Sequence, residues 1–256
     1  MVIAADLPAQ WPPSVELRRV EAAEARQGVV AGERELFAVS DRAIGRYDRS
    51  TGRRTGMWRA PPGSGISHVN SCILRARLLV CAVSNYPALP QRSHLLWIDA
   101  DTLILRSARS LDGPGSLTFA DWHADSWWVG YANYDGRGGM PGRDHRATLI
   151  LRLSPDFVER QRFTLPATLL ARIAPRSVSG GAWRGDWLLL TGHDRHEGFA
   201  VRLSPDGQRL VHVATVPLPT PGQAIAWDPG GHLWSIDRPR HALVESLAPP
   251  PLGTPR

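Results

Sequence analysis

The chain has 256 residues, of which 43% are hydrophobic and 21% are charged, a composition typical of a folded protein and not of a disordered one. No run of about 18 apolar residues occurs, which excludes a membrane-spanning helix, and no membrane partner is expected. All 30 basic residues are arginines, and with 24 acidic residues they give a net charge of +6. Because the arginines are scattered, a compositional bias explains this charge better than nucleic-acid binding does.

Two features of the sequence bear on the cellular compartment. The segment MVIAADLPAQWPPS at the start lacks the basic residues and long apolar run of a secretory signal. The only two cysteines, Cys72 and Cys81, lie in apolar runs and have neither zinc-type spacing nor the number needed for a disulfide framework. We therefore expect two buried free thiols and a cytoplasmic location.

Five segments of the chain repeat one plan. Each has a short apolar run, a turn, a stronger apolar run that ends on Asp or Asn, and a third run that leads into a turn. The second runs are ELFAVSD, LLVCAVSN, WWVGYAN, LLLTGHD and LWSID, which end on Asp41, Asn85, Asn133, Asp194 and Asp237. The spacings of 44, 48, 61 and 43 residues match the period of a four-stranded propeller blade with one long insertion.

Short runs rich in Val, Leu, Ile and Trp, with little helical periodicity, predict an all-β chain. The fifth repeat has room for only three strands, and the alternating segment SVELRRVEA at 14–22 can supply the missing outer strand. The sequence therefore predicts a single five-bladed β-propeller closed by an N-terminal strand, with a β-sandwich or an irregular barrel as the alternative. Residues 1–13 would form an extension, 14–247 the propeller, and 248–256 a disordered Pro-rich tail.

Polar residues are unevenly distributed over this predicted propeller. The start of the innermost strand and the end of the second strand of every blade share one face, which we call the upper face. The turns of the lower face are ordinary turn formers, whereas the upper positions carry polar and aromatic residues, which predicts a small-molecule site at the upper mouth of the channel. The predicted ligand-binding residues are Gln27, Asn70, Asn85, Tyr86, Tyr131, Tyr134, Ser179, Gln223 and Arg238.

Histidines at two upper positions indicate acid–base chemistry. His68 and Asn70 lie two residues apart on a strand and so point to the same side. In TGHDRHE at 191–197 we expect His193 and Asp194 to face the mouth, and the following His and Glu to lie in an exposed loop. His68, His193 and Asp194 are the predicted catalytic residues, with a histidine as general base. The alternative is that they line the channel and bond only to water or to neighbouring strands.

Oxygen-bearing side chains at the same mouth suggest a metal. Asn70, Asn85 and Asp194 could hold one divalent cation, such as Ca²⁺, Mg²⁺, Mn²⁺ or Zn²⁺. Asn and Asp at strand ends also commonly bond to their own backbone, which leaves both interpretations open. No helix follows the Gly-rich segments, which excludes a nucleotide cofactor, and no GxSxG nucleophile elbow occurs.

Two further groups of residues have structural interpretations. Trp122, Trp183 and Trp227 lie at equivalent ends of the innermost strands, where large rings are expected to fill the space between blades. The loop DGRGGMPGRDHR at 135–146 is either a lid over the upper face or a surface loop.

Between about residues 25 and 245 the chain resembles an uncharacterised bacterial and fungal propeller family, through HVN…SNYP, GSLTF…WW, SGGAW…TGHD and GQAIAWD. That family is distantly similar to gluconolactonase and regucalcin propellers, to cycloisomerases and to the five-bladed plant glutamine cyclotransferases. The gluconolactonase resemblance implies a metal held by Glu, two Asn and Asp. Asn70, Asn85 and Asp194 match three of these positions by their place in the blades, and Gln27 stands where the Glu would be.

Together these observations predict a small-molecule enzyme of hydrolase, lactonase, cyclase or isomerase type that acts at the upper mouth. A propeller that binds a small ligand without catalysis is one alternative, and a protein-interaction scaffold is the other. Scaffolds spread aromatic and Arg residues over rim and faces, whereas here the polar residues gather at the axis, which favours the first two.

Overall fold

The computed structural model describes residues 7–248, so the predicted disordered tail lies outside the described residues apart from Ala248. Five sheets follow one another in chain order, and they confirm the predicted single five-bladed β-propeller. Within the described residues, no helix is long and apolar enough to span a membrane.

Two strands precede the blades, β1 (Ala9–Gln10) and β2 (Val15–Glu21). Blade 1 contains β3 (Gly28–Ala31), β4 (Glu35–Ser40), β5 (Ala43–Asp48) and β6 (Arg54–Arg59). Blade 2 contains β7 (His68–Arg75), β8 (Leu78–Ser84), β9 (Ser93–Asp99) and β10 (Leu105–Ser110). Blade 3 contains β11 (Ser116–His123), β12 (Ser126–Ala132), β13 (Leu149–Leu153) and β14 (Glu159–Thr164).

Blade 4 contains β15 (Gly180–Arg184), β16 (Trp187–Thr191), β17 (Glu197–Leu203) and β18 (Leu210–Pro217). Blade 5 contains β19 (Ala226–Trp227), β20 (Leu233–Asp237) and β21 (Ala242–Leu247), with β2 as its outer strand. A single helical turn (His145–Ala147) is inserted in blade 3, and the helix α1 (Ala167–Ile173) connects blades 3 and 4.

The ring is closed in the way that the alternating N-terminal segment predicts. Strand β2 pairs antiparallel with β21 along its whole length, which completes blade 5. Arg18 Nε lies 2.6 Å from Glu245 Oε2, and Arg19 donates to Asp237, so ion pairs join the outer strand to the two strands inside it. Strand β1, within the predicted extension, adds parallel to β18 as a fifth strand of blade 4.

Hydrophobic residues are concentrated between the blades. Each of the five interfaces between neighbouring blades has its own cluster of buried apolar side chains. The rings of Trp128 and Trp234 are fully buried in two of these clusters. Where β15 meets the segment before β19 the two backbones are too close for a side chain, because a Cβ on Gly180 would lie 2.6 Å from the Cα of Ala224. This packing fixes the upper ends of the inner strands relative to one another.

The two cysteines form a disulfide, so the prediction of free thiols is wrong. Cys72 in β7 lies directly opposite Cys81 in β8, and their Cα atoms are 4.0 Å apart. Both side chains are buried between blades 1 and 2. The apolar runs correctly indicate burial, but they do not reveal the hairpin register that makes the two residues cross-strand neighbours.

We expect the unfolded protein to contain no titratable thiol unless it has first been reduced. The disulfide closes a loop of nine residues in sequence separation, for which chain entropy predicts a loss of about 2–3 kcal/mol of stability on removal. Urea unfolding of the Cys72→Ala/Cys81→Ala variant, with the reduced wild type as its control, measures that loss. Two free thiols in denatured, unreduced protein would contradict the disulfide.

Candidate active site

A cavity of about 70 Å³ lies at the upper mouth of the channel, where the inner strands of the blades begin. Nine of the twelve predicted site residues line it, and two further residues complete its wall. The eleven lining residues are Gln27, His68, Asn70, Tyr86, Thr118, Tyr134, Arg176, Ser179, His193, Gln223 and Arg238.

His68 is the first residue of β7 and is held by a carboxylate from blade 1. Its Nδ1 lies 2.7 Å from Oδ1 of Asp41, and Gln27 Nε2 donates to the same oxygen at 2.6 Å. The hydrogen bond from His68 lowers the Asp41 pKa against the opposing effect of burial, and Arg238 contributes to the lowering. Because Nδ1 donates to the carboxylate, the neutral ring keeps its lone pair on Nε2, which has no hydrogen-bond partner within residues 7–248.

His193 follows β16 and is held in the same way by its neighbour in the chain. Its Nδ1 is hydrogen-bonded to Oδ1 of Asp194, whose other oxygen lies 3.5 Å from Nε of Arg176. Gln223 Nε2 donates to the backbone carbonyl of His193 at 3.4 Å. The Nε2 atom of His193 likewise has no partner in the described part of the chain. The cavity therefore contains two imidazoles, each oriented by a carboxylate on Nδ1 and each able to exchange a proton through Nε2.

Asn70 presents an acceptor to the cavity. Its Nδ2 donates to the backbone carbonyl of Leu117 at 2.8 Å and to Oγ of Ser84 at 3.0 Å. A carbonyl can only accept, so this contact fixes which end of the amide is the nitrogen. The Oδ1 atom accepts no hydrogen bond from any described residue, and it is the end that remains for a ligand.

Two tyrosines form an aromatic wall beside His68. The ring centroids of His68 and Tyr86 are 5.4 Å apart, and those of Tyr86 and Tyr134 are 5.1 Å apart. Burial raises the pKa of Tyr134 well above its ordinary value, so its phenol remains protonated at neutral pH. Gly138, with φ of 81°, packs against the Tyr86 ring where any side chain would collide, and its carbonyl accepts from Gln91. The 135–146 loop thus lies against this wall.

The remaining wall comes from blades 3 to 5. Ser179 donates its backbone N–H to the carbonyl of Thr191, and the Thr118 hydroxyl donates to the carbonyl of Gly130. Gln223 is held in the left-handed region at φ 66°, a conformation that costs a residue with a side chain about 1–3 kcal/mol.

Two predicted ligand-binding residues have structural roles and do not line the cavity. Asn85 Nδ2 donates to the carbonyl of Pro90, and its Oδ1 accepts from the Arg92 N–H, each at 2.9 Å, so the side chain braces its own loop. Tyr131 is 2% exposed, and its hydroxyl donates to the carbonyl of Leu111 at 2.7 Å.

Asp194 does not line the cavity, and Glu197 differs from its expected place. The Asp194 side chain is 62% exposed and acts on the cavity through His193. The sequence predicts Glu197 in an exposed loop, but the residue is the first of β17, is buried and pairs with Arg172. Strand β17 therefore begins two residues before the predicted apolar run at Phe199.

The predicted metal ligands do not converge on a cation position at the mouth. Of the three, only Asn70 lines the cavity with an unused oxygen; Asn85 is occupied within its loop, and Asp194 faces His193 and Arg176. Elsewhere in residues 7–248, two groups of carboxylates, each with one histidine, have metal-like spacing. They are Asp135, Asp144 and His145, and Asp228, His232 and Glu245.

The second of these groups already surrounds a cation. Arg49 Nη2 donates to Asp228 at 2.5 Å and to Glu245 at 3.1 Å. His232 Nδ1 lies 2.8 Å from the same Glu245 oxygen. The guanidinium therefore neutralises the carboxylates that a metal would need, and we derive no catalytic step from a metal.

Thr118, Arg176 and Asp41 are the members of the site that the predicted set omits. Thr118 lies on β11 at the position that Asn70 takes on β7, so the repeat itself contains the signal for it. Asp41 ends the second run of blade 1, so the repeat places it at the upper face, but its contact with His68 in the next blade is not visible in the sequence. Arg176 follows α1, in a connection outside the repeat, and nothing in the repeat pattern indicates it.

No family model matches the chain, and no curated protein matches its sequence. Solved structures do match in fold. A glutaminyl cyclase from Myxococcus xanthus aligns with a TM-score of 0.66 at 10% identity, over 94% of this chain and 98% of that one. A luciferin-regenerating enzyme aligns with a TM-score of 0.51 at 14% identity, over 91% and 80%. Kuenenia stuttgartiensis hydrazine synthase aligns with 0.51 at 11% identity, over 85% and 70%. At these identities the likeness shows the propeller fold alone.

Proposed function

We propose that the protein is an enzyme that moves protons on a small polar group at the upper mouth, and that its reaction is cyclisation of an amino-terminal glutaminyl group with release of ammonia. The observation that carries this proposal is the pair of histidines in one cavity, each with Nδ1 on a carboxylate and with Nε2 free of any hydrogen-bond partner among the described residues. The fold likeness to a glutaminyl cyclase suggests the substrate to test first.

Cyclisation needs one group that removes a proton and one that supplies a proton. The free α-amine attacks the side-chain amide carbon, which forms the ring C–N bond, and the amine nitrogen must lose a proton. The bond to the amide nitrogen then breaks, and that nitrogen leaves as ammonia after gaining a proton. Nε2 of one imidazole can take the first proton while the protonated ring of the other gives the second.

The cavity size suits a single side chain of this kind. Its volume of about 70 Å³ is far below the 300–1,000 Å³ of pockets that hold whole drug-sized ligands, so it admits one terminal group. Arg176 and Arg238 offer donors to a carbonyl oxygen, and Asn70 Oδ1 offers an acceptor to an amine. The Tyr86 and Tyr134 rings provide an apolar wall for the methylene groups.

Incubation with a dipeptide amide that begins with Gln tests the proposal. We expect ammonia release and a cyclised product, with no turnover when the same peptide is N-acetylated, because acetylation removes the nucleophile. The His68→Asn/His193→Asn double variant should bind the peptide without releasing ammonia. Binding by the wild type without ammonia release would overturn the enzyme proposal and favour a pure binding module.

Binding of the predicted divalent cation at the upper mouth needs a test of its own. Thermal unfolding of metal-stripped protein against Ca²⁺, Mg²⁺, Mn²⁺ and Zn²⁺ tests it, because an ion at 100 times its Kd stabilises the folded state by about 2.7 kcal/mol. A selective shift that disappears in Asp194→Asn would support the sequence-based expectation. We expect no such shift, because Asn85 and Asp194 do not face the cavity.

We infer that the protein works in an oxidising compartment, not in the cytoplasm expected from the sequence. Structural disulfides persist mainly in the periplasm, the secretory pathway and the extracellular space. The Cys72–Cys81 disulfide supports that location. Blocking thiols in intact cells before lysis tests the inference, since labelling of both cysteines at that stage would place the protein in a reducing compartment.

A further inference from the structure

The opposite, lower mouth of the channel contains a second and larger cavity that the proposed function does not use. Its volume is about 240 Å³, and the lower ends of all five inner strands line it. Trp122, Trp183 and Trp227 contribute three of its walls, and all three side chains are only partly buried. The expectation that these rings fill the space between blades is therefore incomplete, because they also form a surface open to a ligand.

One carboxylate lines this cavity, and it has no cationic partner in the described part of the chain. Asp121 Oδ1 accepts the backbone N–H of Trp122 at 2.8 Å, and Oδ2 accepts that of Trp183 at 2.7 Å. No Arg or His within residues 7–248 forms an ion pair with it. Each oxygen can accept a further hydrogen bond. The Asp121 pKa is raised to about 6 by burial, which fits a carboxylate whose charge is left uncompensated.

One cation lines the same cavity, and no described residue is its anionic partner. The Arg75 guanidinium stacks over the Trp122 ring, with Cζ 4.2 Å from the ring centroid. It makes no hydrogen bond or ion pair to any group in the described ranges. Arg75 and Asp121 do not pair with each other either, so two opposite charges face one cavity at separate positions.

We propose that the lower mouth binds a small zwitterion, an α-amino acid with an apolar side chain. Its ammonium group would bind Asp121, its carboxylate would bind Arg75, and its side chain would pack on the tryptophan rings. A ligand with both charges satisfies the two unpaired groups at once, whereas a simple amine or acid would leave one of them unpaired. The cavity of about 240 Å³ is slightly below the range for drug-sized ligands and admits a molecule of this size.

Calorimetric titration with L-leucine and two analogues tests this proposal directly. 4-Methylpentanoate lacks the ammonium group, and 3-methylbutylamine lacks the carboxylate. We expect each analogue to bind at least tenfold more weakly than leucine, because each leaves one protein charge without a partner. Equal affinity for leucine and one analogue, or no heat with leucine or L-phenylalanine at tens of millimolar, would overturn the proposal.

Two variants test which protein group binds the ammonium group of the ligand and which binds its carboxylate. Asp121→Asn should remove the preference for leucine over 4-methylpentanoate, and Arg75→Met should remove the preference over 3-methylbutylamine. Arg75 is exposed, so its replacement by Met keeps an aliphatic stem on Trp122 and leaves the fold unchanged. His68→Asn is the matched control at the upper mouth. Loss of leucine binding in that control would place the amino acid at the upper cavity and overturn the assignment.

Discussion

His68→Asn and His193→Asn are each expected to lower kcat for glutaminyl cyclisation by about 10²–10⁴-fold, the usual contribution of one general acid or base. Asn retains a hydrogen-bonding side chain near the carboxylate but cannot exchange a proton. Both histidines line the same cavity, and each is held by its own carboxylate. Because the reaction needs one ring to accept a proton and the other to donate one, neither histidine can replace the other. Initial rates across a range of substrate concentrations separate the effect on kcat from any effect on KM.

The two carboxylates should act through the histidines. Asp41→Asn removes the acceptor that holds the proton on Nδ1 of His68, so we expect kcat to fall while KM changes little. Asp194→Asn should do the same for His193. If the wild-type rate has a bell-shaped dependence on pH, each substitution should displace a different limb, which a merely structural role would not do.

Tyr131→Phe is the matched control for these substitutions. Tyr131 resembles a site residue in the sequence, but its hydroxyl bonds to the Leu111 carbonyl in the core between blades 2 and 3. Its loss should lower stability by about 1 kcal/mol or somewhat more and leave kcat unchanged. Unchanged kcat in both histidine variants would contradict the proposed mechanism. Loss of cooperative unfolding in both would show that the histidines are structural.

The fold is predictable because the same constraints occur five times. Every blade needs an apolar second strand, a polar residue at its upper end and a tight turn below, so the period is visible despite one long insertion in blade 3. The closing strand is predictable for a related reason: blade 5 has three strands of its own, and the segment that becomes β2 alternates as an outer strand must.

The site is predictable to the extent that it follows from this period. Tyr86 and Tyr134 come after strand ends, where the chain turns over the upper face, and both line the cavity. Tyr131 lies inside β12, whose two faces pack against neighbouring blades, so its side chain enters the core instead. A single sequence does not distinguish these two environments, because the apolar run continues through Tyr131.

Specific contacts between strands and between blades cannot be predicted from the local sequence pattern. The partnership of His68 with Asp41 depends on the spacing of adjacent blades, and the Cys72–Cys81 pair depends on one hairpin register. Both follow from tertiary geometry that no local pattern encodes. The same holds for Arg49, which follows β5 in blade 1 and reaches two carboxylates in blade 5.

Arg49 therefore joins the first blade to the last, beside the strand that closes the ring. It contacts Asp228, whose side chain is fully buried, and Glu245, which is 8% exposed. Burial raises the pKa of both carboxyl groups, but hydrogen bonds outweigh this effect, so both pKa values lie below their ordinary values. Asp228 accepts hydrogen bonds from His232, Trp234 and Arg49. Glu245 accepts hydrogen bonds from His232 and Arg18. Both groups are thus charged in the folded state, and their charge depends on nearby cations.

Arg49→Met is expected to destabilise the protein by about 3–5 kcal/mol, because it leaves two buried carboxylates without their shared guanidinium. At this chain length the melting temperature should fall by about 6–20 °C. Arg162→Met is the matched control, since it breaks an exposed pair with Glu159 and should cost at most about 1 kcal/mol. Equal losses in the two variants would contradict the bridging role of Arg49.

The dependence of this loss on pH provides a second, independent measure. A carboxyl group whose pKa is lowered by folding stabilises the protein above its unfolded pKa of about 4, and that stabilisation is lost as the pH falls through the folded value. Wild-type stability should therefore decline below about pH 4. In Arg49→Met the acid-dependent decline should be smaller, since protonation there relieves the uncompensated charge of Asp228 and Glu245. Urea unfolding of both proteins between neutral pH and acid measures the difference, and a constant gap at every pH would mean that Arg49 stabilises the closure by packing alone.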